Sequence, residues 1–441
     1  MSEFPKMHPA KMGIMGLQHM FAMFGATVLV PLITGLSVQV TLIGVGVGTL
    51  IFHFFAKGKV PAFLGSSFAF MAGIQLITNP NDGLFAGTGL AQADKLAYAT
   101  GAILVSGLLY LVLAGVVKLV GTEKFMKAVP VIVTAPTVML IGLMLAPWAI
   151  QQASTQLPLA IVTLVIIIAA LAWGKGMIKV IPILLGLVGA YIVALIMHFG
   201  FDITATNRAG TEIVPLLDFA RIQGENIVGL PSFMAPRFDL MAILIMAPFA
   251  LATIAEHIGD MVALSSITGK DYTKEPGLVR TLIGDGLATT FSGAIGGPAS
   301  TTYGENVGVV ALTKVYNPRV VQVAAVFATV LAFSPMFAAV IYTIPEAIIG
   351  GASFMLYGMI AAVGIRNMVD AKVDMGKSKN LVIVAVMLVI GLGMRFAPVG
   401  TLTFVIGEVT VDMGRMGLAI AVIVGVILNA ILPNEKDNQK A

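Results

Sequence analysis

Long apolar runs without a single Asp, Glu, Lys or Arg alternate along this chain with short polar breaks. Met12–Ala56 and Ala128–Gly174 are each long enough for two membrane helices of roughly 20 residues, with breaks predicted near Gly35–Ser37 and Gln151–Gln156. Single spans are predicted over Val60–Asn81, Leu96–Val117, Val180–Phe201, Val320–Pro345, Ala347–Ile365, Asn380–Met394 and Met416–Asn434. Three further apolar segments carry acids: Leu240–Val262 holds Glu256 and Asp260, Thr281–Gly297 holds Asp285, and Thr302–Thr313 holds Glu305. The pattern predicts an all-α polytopic membrane protein of 14 spans.

Charge distribution orients these spans. With a cytoplasmic N-terminus, alternation places 20 of the 26 Lys and Arg residues on the inside, as the positive-inside rule requires. Both termini are then cytoplasmic. The longest outer loop, about Gly200–Asp239, sits at the middle of the chain, where two halves would join. The first apolar stretch is far longer than a signal-peptide core, so the N-terminus reads as mature.

Composition agrees. Apolar residues make up 58% and charged residues 11% of the 441, against about 25% charged in soluble proteins. A soluble enzyme, a disordered chain and a nucleic-acid binder are excluded on that ground. The absence of cysteine removes disulfides, thiolate metal sites and Cys nucleophiles. No metal-binding cluster, Walker loop or nucleophile elbow is found. Gly44-x-Gly46-x-Gly48 lies inside an apolar helix and reads as small-residue packing. No cofactor is expected, and energy would come from an ion or substrate gradient.

The two halves are weakly self-similar. Gln18-His19 aligns with Glu256-His257 at an offset of 238 residues, and the same offset lays Leu64–Phe68 on Thr302–Asn306. Seven spans per half is an odd number, so the repeats would be inverted, as in many transporters. Within spans 3 and 10, Pro, Gly and β-branched residues predict a short extended piece followed by a short helix starting near Ser66 or Gly304. Two such half-helices would aim free N–H groups and positive dipole ends at one point.

The intramembrane polar residues are the candidate chemistry. Glu256 lies deep in span 8, where a carboxylate usually faces a polar cavity. Asp260, one turn on, shares its face, so the two acids could share or carry a proton. Asp285 is balanced between packing partner and proton relay. Glu305, at the start of the half-helix in span 10, can accept from N–H donors on a ligand. Gln18 and His19 read as a helix-bridging polar network, and His53 as interfacial. Phe68 and Tyr303 flank the half-helix starts and could stack on a planar ring.

Four segments carry a resemblance. They are Gln18–Pro31, Pro61–Phe70, Ala255–Gly259 and Thr301–Gly308, together with Glu305-Asn306-x-Gly308-x4-Thr313-Lys314. They closely resemble the bacterial uracil permeases of the nucleobase/ascorbate transporter (nucleobase–cation symporter-2) family, across nearly the whole chain. The resemblance implies a core domain of spans 1–4 (residues 1–118) and 8–11 (240–342). It also implies a gate domain of spans 5–7 (119–201) and 12–14 (343–434), an outer linker (202–239) and a cytoplasmic tail (435–441). It implies uracil held by Glu256, Glu305 and the backbone N–H groups of Phe68 and Gly304, with Tyr303 and Ser67 beside them and Asn306 in the polar network. Glu before Asn306 points to uracil, where purine transporters typically carry Gln and ascorbate transporters Pro. Some uracil permeases have His at the position of Asp260 and Asn at that of Asp285.

The resulting expectation is a proton-coupled uracil importer of the bacterial plasma membrane, moving by an elevator-like mechanism and pairing as a homodimer through its gate. Its partners would be uracil, protons and the lipid bilayer, with no nucleic acid. Proton coupling would rest on Glu256, Asp260 and Asp285. The rivals are a xanthine or urate permease and, more remotely, an anion exchanger or channel of the same architecture.

Overall fold

The computed structural model describes residues 7–81, 83–121, 130–208, 210–398, 403–406 and 409–433. The predicted tail (435–441) and Lys6, Lys124, Lys127, Lys436 and Lys440 lie outside the described residues. The first half runs α1 (Pro9–Thr34), α2 (Val38–Phe55), β1 (Leu64–Ser66), α3 (Ala69–Thr78), α4 (Gln92–Val120), α5 (Val131–Ala153), α6 (Leu157–Trp173) and α7 (Pro182–Phe201). A hairpin of β2 (Thr204–Thr206) and β3 (Ile213–Pro215) follows at the start of the segment between the two halves. The second half runs α8 (Leu240–Thr268), α9 (Leu278–Ala294), β4 (Ser300–Thr302), α10 (Gly304–Thr313), α11 (Pro318–Leu331), α12 (Pro335–Tyr342), α13 (Glu346–Asp370), α14 (Ser378–Phe396) and α15 (Gly417–Ile431). The hairpin β5 (Thr403–Ile406) and β6 (Val409–Asp412) precedes α15.

The chain is a multi-pass membrane protein. Among the described residues, eight helical stretches are long and apolar enough to cross a bilayer, with Val131–Trp173 counted once and nine if α11–α12 is one span. The predicted breaks are where local chemistry puts them. Gly35 ends α1 at φ 82°, a left-handed position that suits glycine, and Ser37 caps α2 by accepting from the Val40 N–H (3.3 Å). A single 3₁₀ turn, Ser154–Gln156, separates α5 from α6, and Pro158 starts the second helix.

Span 11 differs from the single helix expected. It bends by 86° between α11 and α12, because Pro335 cannot continue the ladder and Ser334 starts a new helix by capping Phe337 (3.3 Å). His53 is buried among its neighbours, 3% exposed, with its Nε2 lying 3.1 Å from the Ala62 carbonyl.

The interior is built on small residues. The α2 glycines face two neighbouring helices: Gly44 meets Ser292 and Gly48 meets Ala288 of α9, and Gly46 meets Thr329 and the Ala325 carbonyl of α11. With no Cβ at these three positions, the backbones approach closely, which is how apolar helices associate inside a bilayer. Outside the spans, Lys59 pairs with Glu275 and, by that hydrogen bond, holds its carboxyl below the usual range.

At the centre, β1 and β4 form a two-stranded antiparallel ladder with Leu64 opposite Thr302, Gly65 opposite Thr301 and Ser66 opposite Ser300. The predicted extended pieces are therefore present and paired. α3 begins at Ala69, three residues beyond the expected Ser66, because Ser66 is still in the ladder and the Ser67 N–H donates to the Ala299 carbonyl (2.8 Å).

Candidate functional site

Each strand leads directly into a short helix: β1 into α3, with Phe68 as its N-cap, and β4 into α10, with Tyr303 as its N-cap. The first N–H groups of a helix have no partner inside it, and the helix dipole leaves that end positive. The ladder therefore brings two such ends to one place. Tyr303 clasps them. Its hydroxyl donates to the Ser66 carbonyl (2.8 Å) and lies 3.1 Å from Ser66 Oγ, while its ring lies 6.2 Å from that of Phe68 at 11°. Gly65 is required beneath it, since a Cβ there would overlap the Tyr303 ring.

A cavity of about 490 Å³ opens at this junction. One wall is formed by Phe68, Ala69, Thr301, Tyr303, Gly304, Glu305 and Gly308, together with Ala252 and Glu256 of α8. The facing wall is apolar and comes from α5, α6, α7 and α13, including Val138, Ile141, Leu171, Ile183, Leu356, Met359, Ile360 and Val363. Its mouth reaches Lys179 and Asn367. Glu256 is exposed although it lies mid-helix, because its side chain borders this space. No Cβ contact lies within 4 Å of Gly304, so its backbone is open to a ligand.

The other sequence candidates are placed around that wall. Asp260 accepts a hydrogen bond from Thr302 Oγ1 (2.7 Å), tying α8 to β4 one turn from Glu256. Asp285 is fully buried on α9, its Oδ2 3.0 Å from Nδ1 of the equally buried His257. Asn306 Nδ2 donates to the His19 carbonyl (3.0 Å) and lies 3.1 Å from His19 Nδ1, bridging α10 to α1. Gln18 is beside it on α1, and its Oε1 has no hydrogen-bond partner among the described residues. Ser67 is fully buried and does not border the cavity.

Two residues escaped the sequence reading. His257, which the sequence marks only within the repeat and the Ala255–Gly259 segment, is the contact of Asp285. Thr301 borders the cavity with an Oγ1 that has no partner among the described residues, and only its place in the Thr-Thr-Tyr-Gly-Glu-Asn run could have flagged it. Among the described residues no group of three or more His, Asp or Glu side chains could hold a metal ion.

Comparison with known proteins places this geometry. A family model described as a permease family matches residues 10–400. The uracil permease of Bacillus subtilis is 38% identical over 96% of this chain and 93% of its own length. The uracil permease of Bacillus caldolyticus is 37% identical over 95% and 91%. These relatives are named as permeases, transporters rather than enzymes. Among solved structures, the transmembrane domain of the cyanobacterial bicarbonate transporter BicA matches with a TM-score of 0.60 at 16% identity, over 96% of this chain and 98% of that one. Murine solute carrier 26 family member A9, an anion transporter in the inward-facing state, matches with a TM-score of 0.65 at 13% identity, over 97% and 69%. At those identities the likeness is one of fold.

Proposed function

This chain belongs to the permease family, and from that membership we propose that it imports uracil across the bacterial plasma membrane, coupled to protons. The observation that carries the reading is the single cavity bordered by Glu256, Glu305 and the N-termini of α3 and α10. Uracil is neutral and planar, with two N–H donors and two carbonyl acceptors. Two carboxylates and two backbone N–H groups are the complementary set, with Glu256 and Glu305 accepting and Phe68 and Gly304 donating. Tyr303 and Phe68 supply aromatic surface for the ring, and Ser67 supports the junction from behind.

In this reading α1–α4 and α8–α12 form the substrate-carrying core, and α5–α7 and α13–α15 form the gate. Packing supports that division: α2 lies against α9 and α11, and α4 against α8 and α9, while α5 and α6 lie against α13, and α14 against α15. Leu64 and Thr302, the offset-238 partners, face each other in the ladder, as an inverted repeat about a local twofold would have them. Fourteen spans with both termini inside follow from the same reading. The cavity mouth at Lys179 and Asn367 then opens to the cytoplasm. Transport would move the core past the gate like an elevator, with the protein paired as a homodimer through its gate and no cofactor required.

Protons would couple through Glu256, with Asp260 and Asp285 behind it. A protonatable carboxylate that also binds a neutral ligand links the two without any counter-charge. An anion carrier of this fold is disfavoured, because Glu256 and Glu305 would repel its substrate at close range. The rival within the family is a xanthine or urate carrier. A thermal-shift screen in detergent separates them, since a ligand stabilises by RT ln(1 + [L]/Kd). Uracil should raise the melting temperature most. A larger shift with xanthine or uric acid would transfer the assignment.

A further inference from the structure

A second cleft, of about 260 Å³, lies on the same seam between the two helix sets but toward the opposite face. Two of the helices that border the deep cavity, α3 and α5, also border this one. On α3, Ala69 faces the cavity and Gln75 the cleft, with Asn79 just past the helix end; on α5, Ile141 faces the cavity and Trp148, Gln151 and Gln152 the cleft. Six or seven helical residues separate the two sets, about 10 Å along the axes at 1.5 Å per residue. A substrate entering from outside along this seam would meet the cleft first.

Its chemistry is unlike that of a merely wet vestibule. Gln152 is only 4% exposed, and its Oε1 has no hydrogen-bond partner among the described residues, an arrangement that disfavours an empty site. Gln75 is anchored by its Nε2, which donates to the Ile33 carbonyl (3.0 Å). Trp148 offers a half-buried indole beside these amides, and the Arg395 guanidinium packs on it at 5.2 Å. The cationic group at the rim, Arg208, is bound through Nε to Glu346 (2.8 Å), so the lining presents amide donors and acceptors with its charge paired.

We propose that this outer cleft is a reception site for a neutral, planar, amide-bearing ring of the pyrimidine-base class, held by Gln152, Gln75 and Trp148 before it reaches the deep cavity. The inference rests on the uracil-transport reading above. Carboxamides match the ring's N–H and C=O groups in either sense. Having no free charge, the site holds its ligand weakly and independently of protonation, which suits a substrate that must move on.

Tryptophan fluorescence tests the proposal directly. The chain has two tryptophans, and Trp173, 76% exposed at the end of α6, can be replaced by Phe to leave Trp148 as the only reporter. Uracil titrated into this purified full-length protein should quench Trp148 saturably. The quench should survive Glu305→Gln, which cripples the deep site, and weaken about two- to tenfold in Gln152→Leu or Gln75→Leu, the loss of one neutral hydrogen bond. Those two variants should keep the thermal shift produced by uracil at the deep site. A protein whose melting temperature rises with uracil while Trp148 stays silent would overturn the outer site alone. So would a quench that Glu305→Gln abolishes and Gln152→Leu and Gln75→Leu leave intact. Absence of any thermal shift in the unmodified protein would instead overturn the uracil reading on which the site rests.

Discussion

The Tyr303 hydroxyl donates a 2.8 Å hydrogen bond to the Ser66 carbonyl, joining the two broken spans at the floor of the cavity. That bond holds the N-termini of α3 and α10 in register, because Ser66 pairs with Ser300 and Tyr303 follows Thr302 in the chain. Tyr303→Phe keeps the ring that lies over Phe68 but leaves a buried carbonyl without its donor. The expected cost is about 1–3 kcal/mol, read as a lower melting temperature in detergent, with weaker uracil binding because the two helix ends are less well aligned.

Glu305 is the sharper probe of recognition. Glu305→Gln preserves shape but turns one acceptor oxygen into a donor that faces a ring N–H in the wrong sense. Losing a hydrogen bond to a charged group costs about 1.5–3 kcal/mol, so uracil affinity should fall roughly ten- to hundredfold. Calorimetric titration of the variant checks this, and unchanged affinity would remove Glu305 from the site.

Asp260 separates coupling from binding. It holds Thr302 Oγ1 at 2.7 Å and does not border the cavity, so Asp260→Asn should bind uracil nearly as well as the parent. Its uptake should depend less on pH and accumulate less against a gradient. Glu256→Gln should lose binding and coupling together. If Asp260→Asn keeps the parent pH profile and accumulation, Asp260 is a structural acid, and coupling falls to Glu256 and to Asp285 with its contact His257.

Gly46 tests the packing of the core. A Cβ there would press into Thr329 Oγ1 and lie 2.7 Å from the Ala325 carbonyl oxygen, a backbone atom that cannot swing aside. Gly46→Ala should destabilise the protein by about 1–3 kcal/mol through overpacking, measured as a lower melting temperature. Gly115→Ala, on α4 with nothing within 4 Å, should not lower it, since alanine is the better helix former.

Much of this was legible because the determinants are local. Gly35 and Ser37 punctuate the chain by their own backbone chemistry, and the run from Ser300 to Glu305 announces a strand followed by a helix start. Glu256 and Glu305 stood out because an isolated acid in an apolar span needs a cavity. What was not legible depends on partners distant in sequence. His53 gains its partner only when the fold brings the Ala62 carbonyl to it, and His257 gains meaning only when α9 delivers Asp285. The 86° bend of span 11 follows from Ser334-Pro335, a signal that was readable but lost inside a continuous apolar run. Gln152 looked like part of a loop, and only the approach of α3 makes it the wall of a cleft.

Proton-driven uracil transport through the Glu256–Glu305 cavity is tested most directly by uptake of labelled uracil into proteoliposomes. With an inward proton gradient, uracil should accumulate above its equilibrium level, collapse to that level when a protonophore is added, and be displaced by unlabelled uracil more effectively than by xanthine. Equilibration without accumulation, or displacement by xanthine in preference to uracil, would contradict it.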